Sequence, residues 1–237
     1  MSQFVHLHNH SEYSLLDGAC RIKDLVARAI ELEMPAVALT DHGVLYGAID
    51  FYREAKKQGI KPIIGCEVYV APRSRLDKEA RIDDQYYHLI LLCKNEQGYR
   101  NLVQLVSRAS MEGFYYKPRV DRELLEQYSQ GLIALSGCIA GEIPQLLLQG
   151  KYEDALEIAQ FYNRMFGKGN YYLEVQDHGL SEQKQIFPHM VQLSQETGIP
   201  LVATNDLHYI NRKDASVHDV LLCIQTGSVV ANEQRMR

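Results

Sequence analysis

Three of the nine histidines in this 237-residue chain stand at alternate positions in Phe4-Val5-His6-Leu7-His8-Asn9-His10. Alternate side chains of an extended strand share a face, so the spacing predicts that His6, His8 and His10 point the same way. A row of imidazoles makes poor core, because each ring carries nitrogens that need partners. It makes a good metal-binding face, since neutral imidazole is the commonest protein metal ligand. Further ligand-type residues follow or adjoin short apolar runs: Asp17, Asp41-His42, Glu67, His88, Cys138, Asp177-His178, Asp206 and His208.

From these, His8, His10, Asp17, His42, Glu67, His88, Cys138, Asp206 and His208 form the candidate ligand set. Nine ligands exceed what one four-coordinate ion can use and suit two or three divalent transition-metal ions bridged by a carboxylate. Imidazole and carboxylate with one thiolate fit zinc, manganese or iron without choosing among them. Clustered ions of this kind activate water and clamp phosphoryl oxygens, so the chemistry implied is phosphate-ester hydrolysis, with Glu67, Asp206 and His208 as its catalytic centre. Asp41 reads as a support that orients His42, because a metal-bound imidazole usually gives its other nitrogen to such a partner. Lys117 and Arg119, with Arg122, are candidate phosphate contacts, although an alternating basic loop also reads as a solvated face. His178 reads as a substrate contact or a loop residue. His189 and His218, each in a helical pattern, read as ordinary surface or core residues. Cys20, Cys66, Cys93 and Cys223 read as buried inert thiols.

Positioning these residues requires strands. β-type runs at Phe4–His8, Ala36–Thr40, Pro62–Val70, His88–Cys93, Leu132–Ser136, Tyr171–Gln176 and Pro200–Thr204 alternate with amphipathic stretches such as Ile22-Leu25-Val26-Ala29, Leu102-Leu105-Val106 and Leu156-Ala159. Strands separated by helices imply parallel pairing. Seven such units point to an α/β fold, a distorted seven-unit (β/α) barrel of TIM-barrel type, with an open doubly wound sheet as the alternative. Most of the ligand set ends its runs, which puts a metal cluster at the C-terminal ends of the strands, where such barrels carry active sites. His88 starts its run instead, which a strand reversal between Glu67 and His88 would explain.

Composition sets the remaining bounds. A hydrophobic share of 46% with 23% charged residues is that of an ordinary globular protein, and no apolar run approaches the roughly 18 residues of a membrane span. The opening Met-Ser-Gln-Phe-Val-His lacks the basic and apolar regions of a secretory signal. Five scattered cysteines with no Cys-x-x-Cys pair argue against a disulfide framework, and a cytoplasmic location is expected. A formal net charge of −5 gives no basic face of the kind nucleic-acid binding usually needs.

The motifs His8-x-His10, Asp17-Gly18, Thr40-Asp41-His42-Gly43, Gly65-Cys66-Glu67, His88, Cys138 and Asp206-x-His208 resemble those of the polymerase-and-histidinol-phosphatase (PHP) superfamily. The connecting text Tyr13-Ser14-Leu15-Leu16-Asp17-Gly18, Gly113-Phe114-Tyr115-Tyr116-Lys117-Pro118-Arg119, Asn205-Asp206-Leu207-His208-Tyr209 and Leu221-Leu222-Cys223-Ile224-Gln225-Thr226-Gly227, with Arg235-Met236-Arg237, is similar to PHP domains at the N-terminus of bacterial replicative polymerase alpha subunits. This resemblance covers 1–237 as one PHP domain. It implies a seven-unit barrel with a three-metal site: one ion on His8, His10, Glu67 and Asp206, a second on Glu67, His88 and Cys138, and a third on Asp17, His42 and His208. His6 stands where many PHP phosphatases carry an acid, so it is expected only as an outer support. The implied activity is 3′–5′ exonuclease proofreading on DNA 3′ ends. The implied partners are the remainder of such an alpha subunit and a separate proofreading exonuclease subunit, with no membrane. No polymerase activity is expected of these residues by themselves. Two rivals are a phosphomonoesterase of the histidinol-phosphatase kind and a metal-stabilised scaffold that docks the polymerase body or the exonuclease subunit.

Overall fold

In the computed structural model, which describes residues 4–236, the elements run α1 (Ile22–Glu31), β1 (Ala36–Leu39), α2 (Ala48–Gln58), β2 (Lys61–Val70), β3 (Tyr87–Cys93), α3 (Glu96–Met111), β4 (Phe114–Tyr115) and β5 (Lys117–Val120). There follow α4 (Arg122–Tyr128), β6 (Leu132–Leu135), α5 (Glu142–Leu148), α6 (Tyr152–Phe166), β7 (Tyr171–Val175), α7 (Ser181–Thr197), β8 (Leu201–Ala203) and α8 (Ala215–Thr226). Residues 1–3 and Arg237, the ends of the expected domain and of its closing motif, lie outside the described residues.

β1 pairs with the first half of β2, and the sheet continues through β3, β6, β7 and β8. The segment 6–10 bridges its two margins. On one side Ala38 N donates to His6 O and Thr40 N to Asn9 O; on the other, Leu207 N donates to His8 O and His10 N to Leu207 O. This segment thus occupies the place of the expected first strand without being a regular one. Asn9 N donates to Thr40 Oγ1 and Asn9 Nδ2 to the carbonyls of His6 and Ala38, so side chains replace part of the ladder. The result is a curled, mostly parallel α/β barrel whose seven positions match the expected number.

Two local features depart from the expected pattern of uniformly parallel units. No helix lies between β2 and β3, and β3 is antiparallel to both neighbours, β2 and β6. This is the reversal that His88 required: it stands opposite Tyr69, so the start of β3 lies at the end of the barrel where β2 finishes. The short hairpin β4–β5, not anticipated, adds to the end of β2.

Strand alternation separates two layers. Leu89 and Leu91 of β3 pack outward with Cys66, Val68 and Val70 of β2 against α3, α5 and α6. Ile90 and Leu92 point inward with Ala38 and Leu135, joined by Ile63, Ile133, Tyr172 and Val202. That inner apolar layer plugs the lower barrel, each full burial of a leucine or isoleucine side chain contributing about 1.5–3 kcal/mol. One or two steps of two residues further, the same inward face presents Glu67 (from Ile63), His88 (from Ile90), Glu174 (from Tyr172) and Thr204 (from Val202). The apolar floor therefore sets the height of a polar layer above it.

Candidate metal centre

His8 and His10 are fully buried, and both offer Nε2 to one point. His8 Nε2 and His10 Nε2 are 3.1 Å apart, and each lies 3.1 Å from Asp206 Oδ1. Their other nitrogens are committed. His8 Nδ1 lies 2.7 Å from Glu174 Oε1. His10 Nδ1 lies 3.0 Å from Ser14 Oγ, whose own proton goes to Asp41 Oδ1. Those partners put the ring protons on Nδ1, so lone pairs of two imidazoles and a carboxylate converge. Lone pairs repel unless a cation lies between them.

Glu67, fully buried, joins two such groups. Its Oε2 lies 2.7 Å from His42 Nδ1 and 3.3 Å from His10 Nε2; its Oε1 lies 2.6 Å from His88 Nδ1 and 3.9 Å from Cys138 Sγ. Glu67 Oε2, His42 Nδ1 and Asp206 Oδ1 are all buried with no hydrogen-bond partner. Short approaches without hydrogen-bond geometry, among atoms that are all potential ligands, fit a bound metal. The compatible groups are His8, His10 and Asp206; Glu67, His88 and Cys138; and His10, His42 and His208, each with ligand atoms within 4.8 Å of one another.

Asp17 forms the outer wall. Its carboxylate lies 3.2 Å from His42 Nε2, 3.6 Å from His208 Nε2 and 3.3 Å from His218 Nε2. All nine expected ligands are therefore gathered at one mouth of the barrel. In the third group His10 also stacks on both His42 and His208, with ring centroids 4.0 and 4.3 Å apart.

Local backbone features bring these residues in. Gly137 has φ +84°, and a Cβ there would meet His88 O at 2.4 Å, so glycine lets the Cys138 turn pass against β3. Asp206 adopts φ +45°, a left-handed conformation that short polar side chains tolerate best. Strained backbone of this kind persists where the surroundings over-determine it.

The electrostatics point the same way. Burial alone would lower the His8 pKa, but Asp206, Glu174 and Glu67 together push it well above its usual value. Burial opposes the charged form of His42 as well, yet Glu67 and Asp17 raise it to about 10. His10 falls to about 3, through burial and then repulsion from His42 and His208. Burial, then Glu67 and Asp206, raise the Cys138 thiol well above its usual range. Buried carboxylates thus demand positive charge here, which protons or divalent ions can supply.

The supporting residues differ in part from the sequence reading. Asp41 does not touch the His42 ring; it accepts from Ser11 N, Ser11 Oγ and Ser14 Oγ, and so fixes His10 through Ser14. His6 lies edge-on to Phe4, with ring centroids 4.9 Å apart, and its buried Nδ1 has no hydrogen-bond partner among the described residues. Glu174 lies outside the expected set, although a glutamate inside the apolar run Tyr171–Gln176 is a visible signal. The helical pattern around His218 suggests an ordinary residue and does not show that α8 folds back on Asp17.

Arg119 is not the phosphate contact its place in the basic loop suggests. It is fully buried, and its guanidinium donates to the carbonyls of Gly113, Asp83, Arg75 and Asp77. It braces the loop 71–86 and is not presented to the cleft. Arg122 is engaged by Glu142 at 2.5 Å. Lys117 borders the same cleft as Asp17, His42 and His88. His178 Nε2 donates to Asn205 O and its Nδ1 accepts from Gln183 Nε2, beside a second opening that reaches Asp206 and His208.

Residues 6–178 match the PHP domain family. The chain is 54% identical over 235 residues to the DNA polymerase III subunit alpha of Treponema pallidum (strain Nichols), covering 99% of this chain and 20% of that protein. It is 50% identical over 237 residues to that of Borreliella burgdorferi, covering all of this chain and 21% of that protein. The chain thus spans about a fifth of the length of these curated relatives. Among solved structures, a Bifidobacterium adolescentis protein assigned as a metal-dependent phosphoesterase superposes with a TM-score of 0.54 at 14% identity, over 88% of this chain and 89% of that one. That likeness establishes the shared fold alone. With its ligand motifs assembled at the mouth of such a barrel, the chain belongs to the PHP domain family.

Proposed function

We propose that residues 1–237 form one metal-dependent phosphodiesterase domain, a 3′–5′ exonuclease that proofreads DNA 3′ ends for the polymerase of which it is a part. The observation that carries this reading is the convergence of His8 Nε2, His10 Nε2 and Asp206 Oδ1 at 3.1 Å, bridged onward by Glu67. Asp206 and His208 lie beyond the segment matched to the family, 6–178, and complete the ligand groups, which favours a single unit. Two or three divalent ions, zinc, manganese or iron, would activate water and polarise the scissile phosphate. His8, His10 and Asp206 would hold one, Glu67, His88 and Cys138 a second, and His42, His208 and Asp17 the outermost. Glu67 keeps two groups in register because its two oxygens face different ligand sets. Glu174 and Ser14 fix the His8 and His10 rings, so that little reorganisation is needed on binding. Lys117 neutralises a phosphate oxygen at the cleft edge.

Incubating the metal-replete chain with a single-stranded oligonucleotide labelled at its 5′ end tests this reading. Stepwise shortening from the 3′ end, abolished by Asp206→Asn, is expected; an intact strand refutes it. Release of phosphate from small monoesters in preference to strand shortening would favour the phosphomonoesterase rival.

The ring-closing role of the segment 6–10 favours a second reading. His8 and His10 lie on that segment and Asp206 follows β8, so ions here also fasten the barrel. If chelation unfolds the protein and metal supports no hydrolysis, the site serves as a scaffold for the polymerase body or an exonuclease subunit.

A further inference from the structure

The candidate metal centre opens on one side into a cleft of about 570 Å³, with Asp17, His42 and His88 at its floor. Its walls carry unusual surface chemistry. Tyr46 and Phe114 line it while 69% and 56% exposed, and Tyr86 lies parallel to the His88 ring, with centroids 5.9 Å apart and planes within 3°. Lys117 Nζ sits 5.3 Å from the centroid of the buried Tyr69 ring, and it is the one lysine or arginine among the described residues lining the cleft.

Large aromatic rings left open to water beside a catalytic floor mark a ligand surface more than a packing face. The occupant must join a flat apolar body to an anion, because rings form the walls while a lysine and the ligand cluster mark the phosphate end. A nucleobase linked to its phosphate has that form, and its π-face stacks on tyrosine or phenylalanine regardless of sequence. The charge distribution agrees. With a net charge of −5 and one lysine among the described residues of the cleft, contacts to successive phosphates contribute little, so beyond the terminal phosphate the affinity rests on stacking.

We propose that this cleft binds the unpaired 3′-terminal nucleobase of a single strand, stacked among Tyr46, Tyr86 and Phe114, with the adjoining phosphate beside Lys117. This rests on the phosphodiesterase reading for the position of the phosphate, while its test needs no turnover. Binding is measured in the Asp206→Asn chain with two short strands, one ending in 2-aminopurine and one in an abasic tetrahydrofuran residue.

Stacking predicts quenching of the 2-aminopurine fluorescence and roughly five- to hundredfold weaker binding of the abasic strand. Phe114→Leu and Tyr46→Leu, at exposed positions that leave the core untouched, should each weaken the base-bearing strand and leave the abasic one unchanged. Equal affinity for the two strands, or variants that weaken both alike, overturns the proposal. Base-dependent binding without strand shortening by the wild-type chain would refute the hydrolytic reading and uphold this one. Shortening with no base dependence would do the reverse.

Discussion

Replacing Glu174 by glutamine tests whether the His8 ring is held for metal. The Glu174 carboxylate accepts from His8 Nδ1 at 2.7 Å, Gly137 N at 3.1 Å and Gln176 Nε2 at 3.0 Å, and from the Thr204 hydroxyl. Oε1 faces three of these donors and Oε2 the fourth, so a glutamine amide in either orientation sets its NH2 against at least one donor. A buried unsatisfied group costs about 1–3 kcal/mol, which at this chain length corresponds to a fall in Tm of roughly 2–12 °C. His8 also loses the anion that raises its basicity and fixes its tautomer. Removing such a partner of a ligating histidine typically weakens metal binding about 10–100-fold. Competition titration against a chromophoric chelator, with thermal melts of the metal-free protein, reads both effects. Wild-type metal affinity in Glu174→Gln would refute the reasoning, because His8 would then be oriented by something other than Glu174.

Glu67→Gln and Asp206→Asn each keep volume and remove an anionic ligand, so both should abolish strand shortening while the far-ultraviolet circular dichroism stays unchanged; Cys138→Ser should be milder, since one ion alone would feel it. Arg119→Met leaves the carbonyls of Asp83, Arg75 and Asp77 without their guanidinium donor, while Gly113 O keeps the Arg119 backbone N–H, and urea unfolding should show a loss of about 3 kcal/mol or more, whereas a change in DNA affinity with full stability would restore it as a phosphate contact. In the metal-free protein, His42 is raised to about 10 from 6.5, against the opposing effect of burial, by Glu67 and Asp17. Its stabilising contribution is therefore complete below about pH 6.5 and lost as pH rises through about 10, so metal-free stability should decline over that window, and a flat profile would contradict the pairing. Loading metal must expel such protons, so calorimetry in buffers of different ionisation enthalpy should detect proton release at neutral pH. A shallow salt dependence of strand shortening is expected from contacts to one or two phosphates, at roughly 0.7 log units per phosphate; a steep slope would reveal a basic surface assembled in three dimensions.

The nine candidate ligands were legible because ligand chemistry needs particular residue types, and strand ends place them where apolar runs stop. Even the misfit of His88 was informative, since it foretold the reversed β3. Regular helices such as α1 and α3 followed from apolar spacing of three and four. Other features escaped because they depend on long-range packing. The segment around His8 looks like a strand in sequence, yet Asn9 and Thr40 side chains take over its ladder. Arg119 looks like its neighbour Lys117, and only the path of the loop 71–86 buries it. The reach of His218 to Asp17 spans 201 residues, a pairing no local pattern encodes. Glu174 was visible as a charge within an apolar strand, but its partner His8 lies at the other end of the family segment.

Anomalous diffraction from crystals grown with saturating transition metal tests the central claim most directly. The expected result is at least two peaks per chain, one ligated by His8, His10 and Asp206 and one by Glu67, His88 and Cys138. Maps with no peak among these residues, from protein that retains the fold, would contradict it.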